Sequence, residues 1–234
     1  MDESQKAIFE NSEALVNWTY PGATLYYKDC DLSDEVRNRF TVGKILRNGY
    51  MLDVSSRGGG MKYNTRFLIA SSKAAKLYEV NPDNTKYGHC CLNIDSYLKV
   101  LDVYELNGKT QIFLLHIPSK GVDFFRQTTT NLDTEIIAKA REGFENKIKL
   151  EPIPELLEKF WVERTNFPVG MDGYDKFYPL SEISKLPDAI GSAFRGVRSL
   201  AKDTSDLNIP EPNFNFRDES PKRKGFWNNL FGKN

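Results

Sequence analysis

One stretch constrains the fold of this chain more than any other. From Ser96 to Leu106, Leu98, Val100, Asp102, Tyr104 and Leu106 fall on one face of an extended strand, and Tyr97, Lys99, Leu101, Val103 and Glu105 on the other. Asn107-Gly108 follows, the dipeptide that best tolerates a tight two-residue hairpin turn, and Gln111–Ile117 returns to Pro118. A period of two sustained over such a length excludes a helix. Apolar residues on both faces require cover on both sides, which places this hairpin near the middle of a sheet.

Other strands are expected at Ala23–Lys28, Thr41–Leu46, Tyr50–Ser55 and Tyr63–Ser71, with a short edge strand at Leu77–Val80. Asn48-Gly49 predicts a second hairpin, between the runs ending at Leu46 and starting at Tyr50. Short links favour antiparallel pairing, so a mostly antiparallel sheet of five to seven strands is expected. Helical spacing appears before and after the strands. Residues 2–18 place Ala7, Ile8, Ala14, Leu15 and Trp18 on one face, and a short polar helix is expected near Leu32–Phe40. Leu132, Ile136, Ala140, Phe144 and Ile148 recur every fourth residue, widened by Ile137, with Thr130 and Asp133 spaced as a capping box. Pro152 ends that helix, and Pro154 suits the first turn of another carrying Leu156, Leu157, Phe160 and Trp161. Strands first and helices later argue for α+β, with the sheet backed by helices.

This globular domain is expected over residues 1–186, its end wrapped by an aromatic-rich segment with Phe167, Tyr174, Phe177 and Tyr178. Residues 187–202 form an amphipathic stripe through Ile190, Phe194, Val197 and Leu200, flanked by Arg195 and Arg198. Residues 203–224 are polar and proline-interrupted and read as a disordered linker. Residues 225–234 close the chain as an aromatic docking segment. Phe226, Trp227, Leu230 and Phe231 share one face there, behind the basic triplet Lys222, Arg223 and Lys224. A segment that short is not helical alone in water, so something must hold it.

Chemistry is harder to find. Cys30, Cys90 and Cys91 make a poor disulfide set, and the polar N-terminus is no signal peptide, so a reducing cytoplasm is expected. Neighbouring cysteines on a strand face opposite ways, which disfavours a shared zinc at His89-Cys90-Cys91; no metal and no cofactor are expected. Cys91 with His116 is the one nucleophile–base pair worth testing. Arg57-Gly58-Gly59-Gly60-Met61-Lys62 looks like a phosphate cradle, but a strand follows it where such a cradle has a helix. A mobile hairpin loop is the plain expectation, with a ligand loop using Arg57 and Lys62 as the alternative. Asp102, Glu105, Asp172 and Asp175 are expected as solvated carboxylates. The 32 basic and 32 acidic residues cancel, so nothing steers the chain toward nucleic acid.

The sequence therefore favours a non-enzymatic cytoplasmic scaffold that binds another protein through its C-terminal aromatic segment. The alternatives are an enzyme with a Cys/His or glycine-loop site, and a peripheral protein making weak contact with anionic membrane.

Overall fold

The Asn107-Gly108 hairpin forms as its residues dictate. The computed structural model describes residues 3–127 and 131–171. Strands β7 (Tyr97–Leu106) and β8 (Lys109–Ile117) pair antiparallel, and Asn107 at φ 54° and Gly108 at φ 71° supply the left-handed turn. The register shifts once, between Val100 and Asp102. Past that irregularity the faces exchange: Val103 joins Leu98 and Val100 in one core, while Asp102 and Tyr104 turn toward a helix on the other side.

Six further strands complete a single sheet: β1 (Thr24–Cys30), β2 (Ile45–Arg47), β3 (Leu52–Ser55), β4 (Thr65–Ser71), β5 (Ala75–Lys76) and β6 (His89–Leu92). Their order is β2-β7-β8-β4-β1-β3-β6-β5. The sheet is thus mixed and eight-stranded, which corrects the expectation of five to seven mostly antiparallel strands. The interior pair β4 with β8 is parallel. The long stretch between those two strands, holding β5, β6 and β7, gives the chain room to cross over.

Two local readings are also corrected, and one strand was not foreseen. The Asn48-Gly49 turn joins no hairpin: β2 pairs with β7, and β3 pairs with β1 and β6. Asn48 is instead a buried tie. Its backbone N–H donates to Ser96 O (2.9 Å), its carbonyl accepts from Asp95 N (2.9 Å), and its side-chain oxygen accepts from Gly170 N (3.1 Å). Those tertiary bonds outweigh the local turn preference. Leu77–Val80 is a helical turn, α3, with β5 just before it forming the sheet edge. Strand β6 carries no sequence signal because all four of its residues are buried, which erases alternation.

The two sheet faces hold separate cores. One draws on every strand except β5, with Leu46, Leu52, Phe67, Leu92, Leu98 and Ile112 all essentially inaccessible. Leu32, Phe40 and Val169, from outside the strands, pack against this face. The other face is covered by α1 (Glu3–Thr19), α4 (Val122–Gln127) and α5 (Asn131–Lys147). The stripe read from sequence packs there: Ile136, Ala140 and Phe144 are buried, each large side chain contributing about 1.5–3 kcal/mol. Ser33 caps the short helix α2 (Asp34–Arg37). The helix expected from Pro154 divides into a 3₁₀ turn, Pro154–Leu157, and α6 (Lys159–Thr165). The ammonium of the buried Lys28 donates to the carbonyls of Thr165 and Phe167, fixing the end of α6. Burial lowers that ammonium's pKa to about 8.

Thr130 of the expected capping box lies outside the described residues. So do the stripe at 187–202 with Phe194, Arg195 and Arg198, the linker 203–224 and the segment 225–234. No described helix is long and apolar enough to cross a membrane.

Candidate functional site

The glycine run sits where β3 leaves the sheet. Ser55 Oγ accepts from Arg57 N (2.9 Å) and donates to Tyr87 O (2.6 Å), turning the chain out of the strand. Gly58, Gly59 and Gly60 then run between the Tyr27 ring of β1 and the segment that follows α5. The fit leaves no room for side chains. A Cβ on Gly58 would lie 2.6 Å from the Tyr27 ring, one on Gly59 2.7 Å from Ile153 Cγ1, and one on Gly60 1.8 Å from the Leu150 carbonyl oxygen. Gly60 N donates to Glu151 O at 3.0 Å. The expected mobile loop is thus corrected to a packed shelf, with Gly59 and Gly60 buried.

Two cations brace the shelf from behind. Arg66 of β4 is buried and fully engaged: Nε and Nη2 donate to the two Asp29 oxygens at 2.8 and 2.7 Å, Nη1 to Gly59 O at 3.0 Å, and Nη2 to Gly60 O at 3.3 Å. Burial works against its charge, but the Asp29 carboxylate outweighs burial and holds the guanidinium above its ordinary pKa. Lys147, from the end of α5, donates to Gly58 O at 3.1 Å and lies 5.3 Å from the centre of the Tyr27 ring. Burial, then the nearby Arg66 charge, lowers its pKa.

In front of the shelf lies a small, open cleft. Its apolar lining comes from Ile153, Leu156 and Leu157, its aromatic lining from Tyr27, Tyr63 and Trp161, and its charge from Arg57, Lys62, Arg66 and Asp29. Arg66 and Asp29 neutralise each other. Arg57 donates to the Lys86 carbonyl and stands 3.7 Å from Glu155. Lys62 is exposed and forms no ion pair with a described residue. Burial, then Asp31 and Asp29, raises the Tyr63 pKa. The arrangement can hold negative charge at one end and a flat or apolar group at the other.

The Cys/His reading falls on topology. Cys91 is on β6 and His116 on β8, with β3, β1 and β4 between them, a separation of about 19 Å at ~4.8 Å per strand. Burial, then the Asp53 charge, pushes the Cys91 thiol up to about 12, so it is no nucleophile. His89 instead pairs with Asp53 of β3 (Nε2 to Oδ1, 2.7 Å), and Asp53 also accepts from Arg164 Nε at 2.9 Å. The His89 ring stands edge-on to Trp161, and its buried Nδ1 has no hydrogen-bond partner among the described residues. Asp102, expected in solvent, is buried and paired with Arg141. The three cysteines are free and buried.

His116 is bonded through Nδ1 to Ser71 Oγ at 2.8 Å and covered by Trp18. Burial, then Lys73, lowers its pKa from 6.5 to about 4. Between those values the unfolded chain binds a proton that the folded chain refuses. Stability therefore falls as the pH drops through that window, by about 3 kcal/mol in all. Urea unfolding at about pH 7 and about pH 4.5 checks this: His116→Gln should lose clearly less stability between the two than the parent protein. An equal loss in both would assign the acid sensitivity to other groups.

Sequence reasoning named Arg57, Gly58, Gly59, Gly60 and Lys62 but missed Arg66, Asp29 and Tyr27. The available signal was a charge inside each of two apolar strands. What makes it a site is that Asp29 and Arg66 are register partners across β1 and β4.

No family model and no curated protein matches the sequence. Among solved structures, the chain is similar to the type III effector XopAI from Xanthomonas axonopodis pv. citri, at 9% identity over 44% of this chain and 46% of that one, with a TM-score of 0.36. It is similar to exoenzyme S from Pseudomonas aeruginosa, at 16% identity over 49% of this chain and 59% of that one, with a TM-score of 0.35. It is also similar to the ADP-ribosyltransferase HopU1 of Pseudomonas syringae pv. Tomato, at 16% identity over 41% of this chain and 46% of that one, with a TM-score of 0.36. The chain thus spans less than two thirds of the length of each of these proteins. The expectation of a non-enzymatic scaffold and interaction protein finds no support in these likenesses, two of which are named as an exoenzyme and an ADP-ribosyltransferase; at TM-scores of 0.35 and 0.36 they carry no role over to this chain.

Proposed function

We propose that the chain is an enzyme whose glycine-shelf cleft binds a small anionic molecule bearing a planar or apolar group. One observation carries this reading. Lys62 brings a positive charge to a cleft where Arg66 is matched by Asp29 and Arg57 only loosely by Glu155. The cleft has surplus positive charge beside an aromatic and apolar wall. A phosphate or carboxylate answers the first feature, and a ring system answers the second. Arg57 and Lys62 would also stabilise negative charge developing on a departing phosphate, the usual contribution of such cations to group transfer. Residence in a reducing compartment is part of the same reading, in keeping with three buried free thiols.

Calorimetric titration with ADP and with NAD tests the binding, since both carry a pyrophosphate and planar rings. Saturable binding that weakens about 5–30-fold in Lys62→Gln is expected, the loss of one charge-assisted contact. Phosphorus NMR of the same mixtures tests turnover. No binding of either probe at low salt, by the parent and by Glu155→Gln alike, would remove the ligand reading. Binding without consumption of the probe would leave a binding protein in place of an enzyme.

A further inference from the structure

The 3₁₀ turn Pro154–Leu157 carries a carboxylate to the one arginine of the cleft whose charge is only loosely paired. Glu155 Oε2 stands 3.7 Å from Arg57 Nη1, with the two side chains 34% and 39% exposed. The Glu155 carboxylate makes no other ion pair or hydrogen bond among the described residues. The chain around it is pinned independently on both sides. Ile153 packs on Gly59. Glu158 accepts from Lys86 Nζ at 2.7 Å and from Tyr87 Oη at 2.6 Å. The Lys86 carbonyl in turn accepts from the Arg57 guanidinium, so that side chain is aimed even before Glu155 is counted.

Holding the turn in place does not require Glu155, so its carboxylate must be explained by what it faces. It faces a preset guanidinium at the mouth of a cationic cleft. It presents there the charge and the paired oxygens that one edge of a phosphate or carboxylate ligand would present. We propose that Glu155 is an internal stand-in for the ligand's anionic group, occupying Arg57 in the empty protein and displaced when an anion arrives. The turn is then a self-occluding cover, and Glu155 sets how much negative charge a ligand needs in order to enter. A long, exposed pair of this kind is weak and screened by salt, so displacement costs little. The inference rests on the ligand reading above.

The test is a two-by-two set of full-length variants titrated with ADP at fixed, low ionic strength: parent, Glu155→Gln, Arg57→Gln and the double variant. Glu155→Gln keeps the size of the side chain and removes only its charge. It should bind ADP about threefold more tightly than the parent, the effect of releasing one exposed ion pair. In the Arg57→Gln background the same change should give no gain. Equal or weaker binding by Glu155→Gln, with the parent binding normally, overturns the stand-in while sparing the ligand reading. An equal gain in both backgrounds also overturns it, because the effect would then be general charge and not competition for Arg57. If neither the parent nor Glu155→Gln binds ADP, the ligand reading fails and the inference with it. Binding by Glu155→Gln alone would support the inference in its strongest form.

Discussion

Replacing Arg66 by methionine should lower the Tm by about 10 °C and abolish probe binding in the cleft. The side chain is 2% exposed and makes four hydrogen bonds, two to Asp29 and one each to the carbonyls of Gly59 and Gly60. Methionine fills much of the volume but leaves Asp29 unpaired and both carbonyls without their donor. Breaking a buried pair from one side costs about 3–5 kcal/mol, and for a domain of this size each kcal/mol moves the Tm by about 2–4 °C. Asp29 retains some exposure, 21% of its side chain, which keeps the expected cost toward the lower end. Thermal unfolding followed by circular dichroism measures it. The double change Arg66→Met with Asp29→Leu should recover part of the loss, because it removes the stranded carboxylate. A Tm within 2 °C of the parent's for Arg66→Met, roughly the smallest resolvable change, would show that the brace does not carry the shelf.

Gly60→Ala should be nearly as damaging, for a different reason. Gly60 has no positive φ, so alanine is not barred by its backbone conformation. It is barred by space: its Cβ would lie 1.8 Å from the Leu150 carbonyl oxygen and 2.7 Å from the Leu150 carbonyl carbon. Those are backbone atoms of the segment after α5, and no rotamer change can move them away. The shelf and the 150–153 segment must separate, and the Gly60 N to Glu151 O bond goes with them. A cost of about 3 kcal/mol is expected, at the upper end for overpacking. The fluorescence of Trp161, which lines the same cleft, should shift to the red as water enters. If Gly60→Ala matches the parent in Tm and emission, the shelf is looser than its contacts imply.

Both expectations concern residues that look unimportant when read along the chain. Gly60 is legible as part of a glycine run, and the run even resembles a phosphate cradle. A cradle of that kind draws its anion affinity from a following helix, and here a strand follows. What the run does instead, closing on a ring from β1 and a carbonyl after α5, depends on atoms distant in sequence. Arg66 is harder still. A charged residue in an apolar strand can be an edge position, a surface position or a buried pair, and only the register between β1 and β4 decides among them.

The same division runs through the fold. The Asn107-Gly108 hairpin, the α5 stripe and the α+β class follow from residues near one another, because alternation, helical period and turn chemistry are local properties. Asn48-Gly49 carries as strong a local signal and forms no hairpin, because its hydrogen bonds go to Ser96, Asp95 and Gly170. The expected scaffold function rests on residues outside those the structure describes. It was inferred from a C-terminal pattern conspicuous in one dimension, while the cleft exists only once several distant segments meet.

The sequence alone thus determined which segments are strands or helices where periodicity was clear, that α+β class, and the glycine, arginine and lysine residues of the candidate loop. Tertiary structure alone decided the parallel β4–β8 pairing, the distance that separates Cys91 from His116, the buried Arg66–Asp29 brace and the placing of Glu155 opposite Arg57. The physical reason is range. Backbone sterics and side-chain periodicity act over a few residues and leave their mark in order. Strand register, desolvation and ion pairing act through space and leave none.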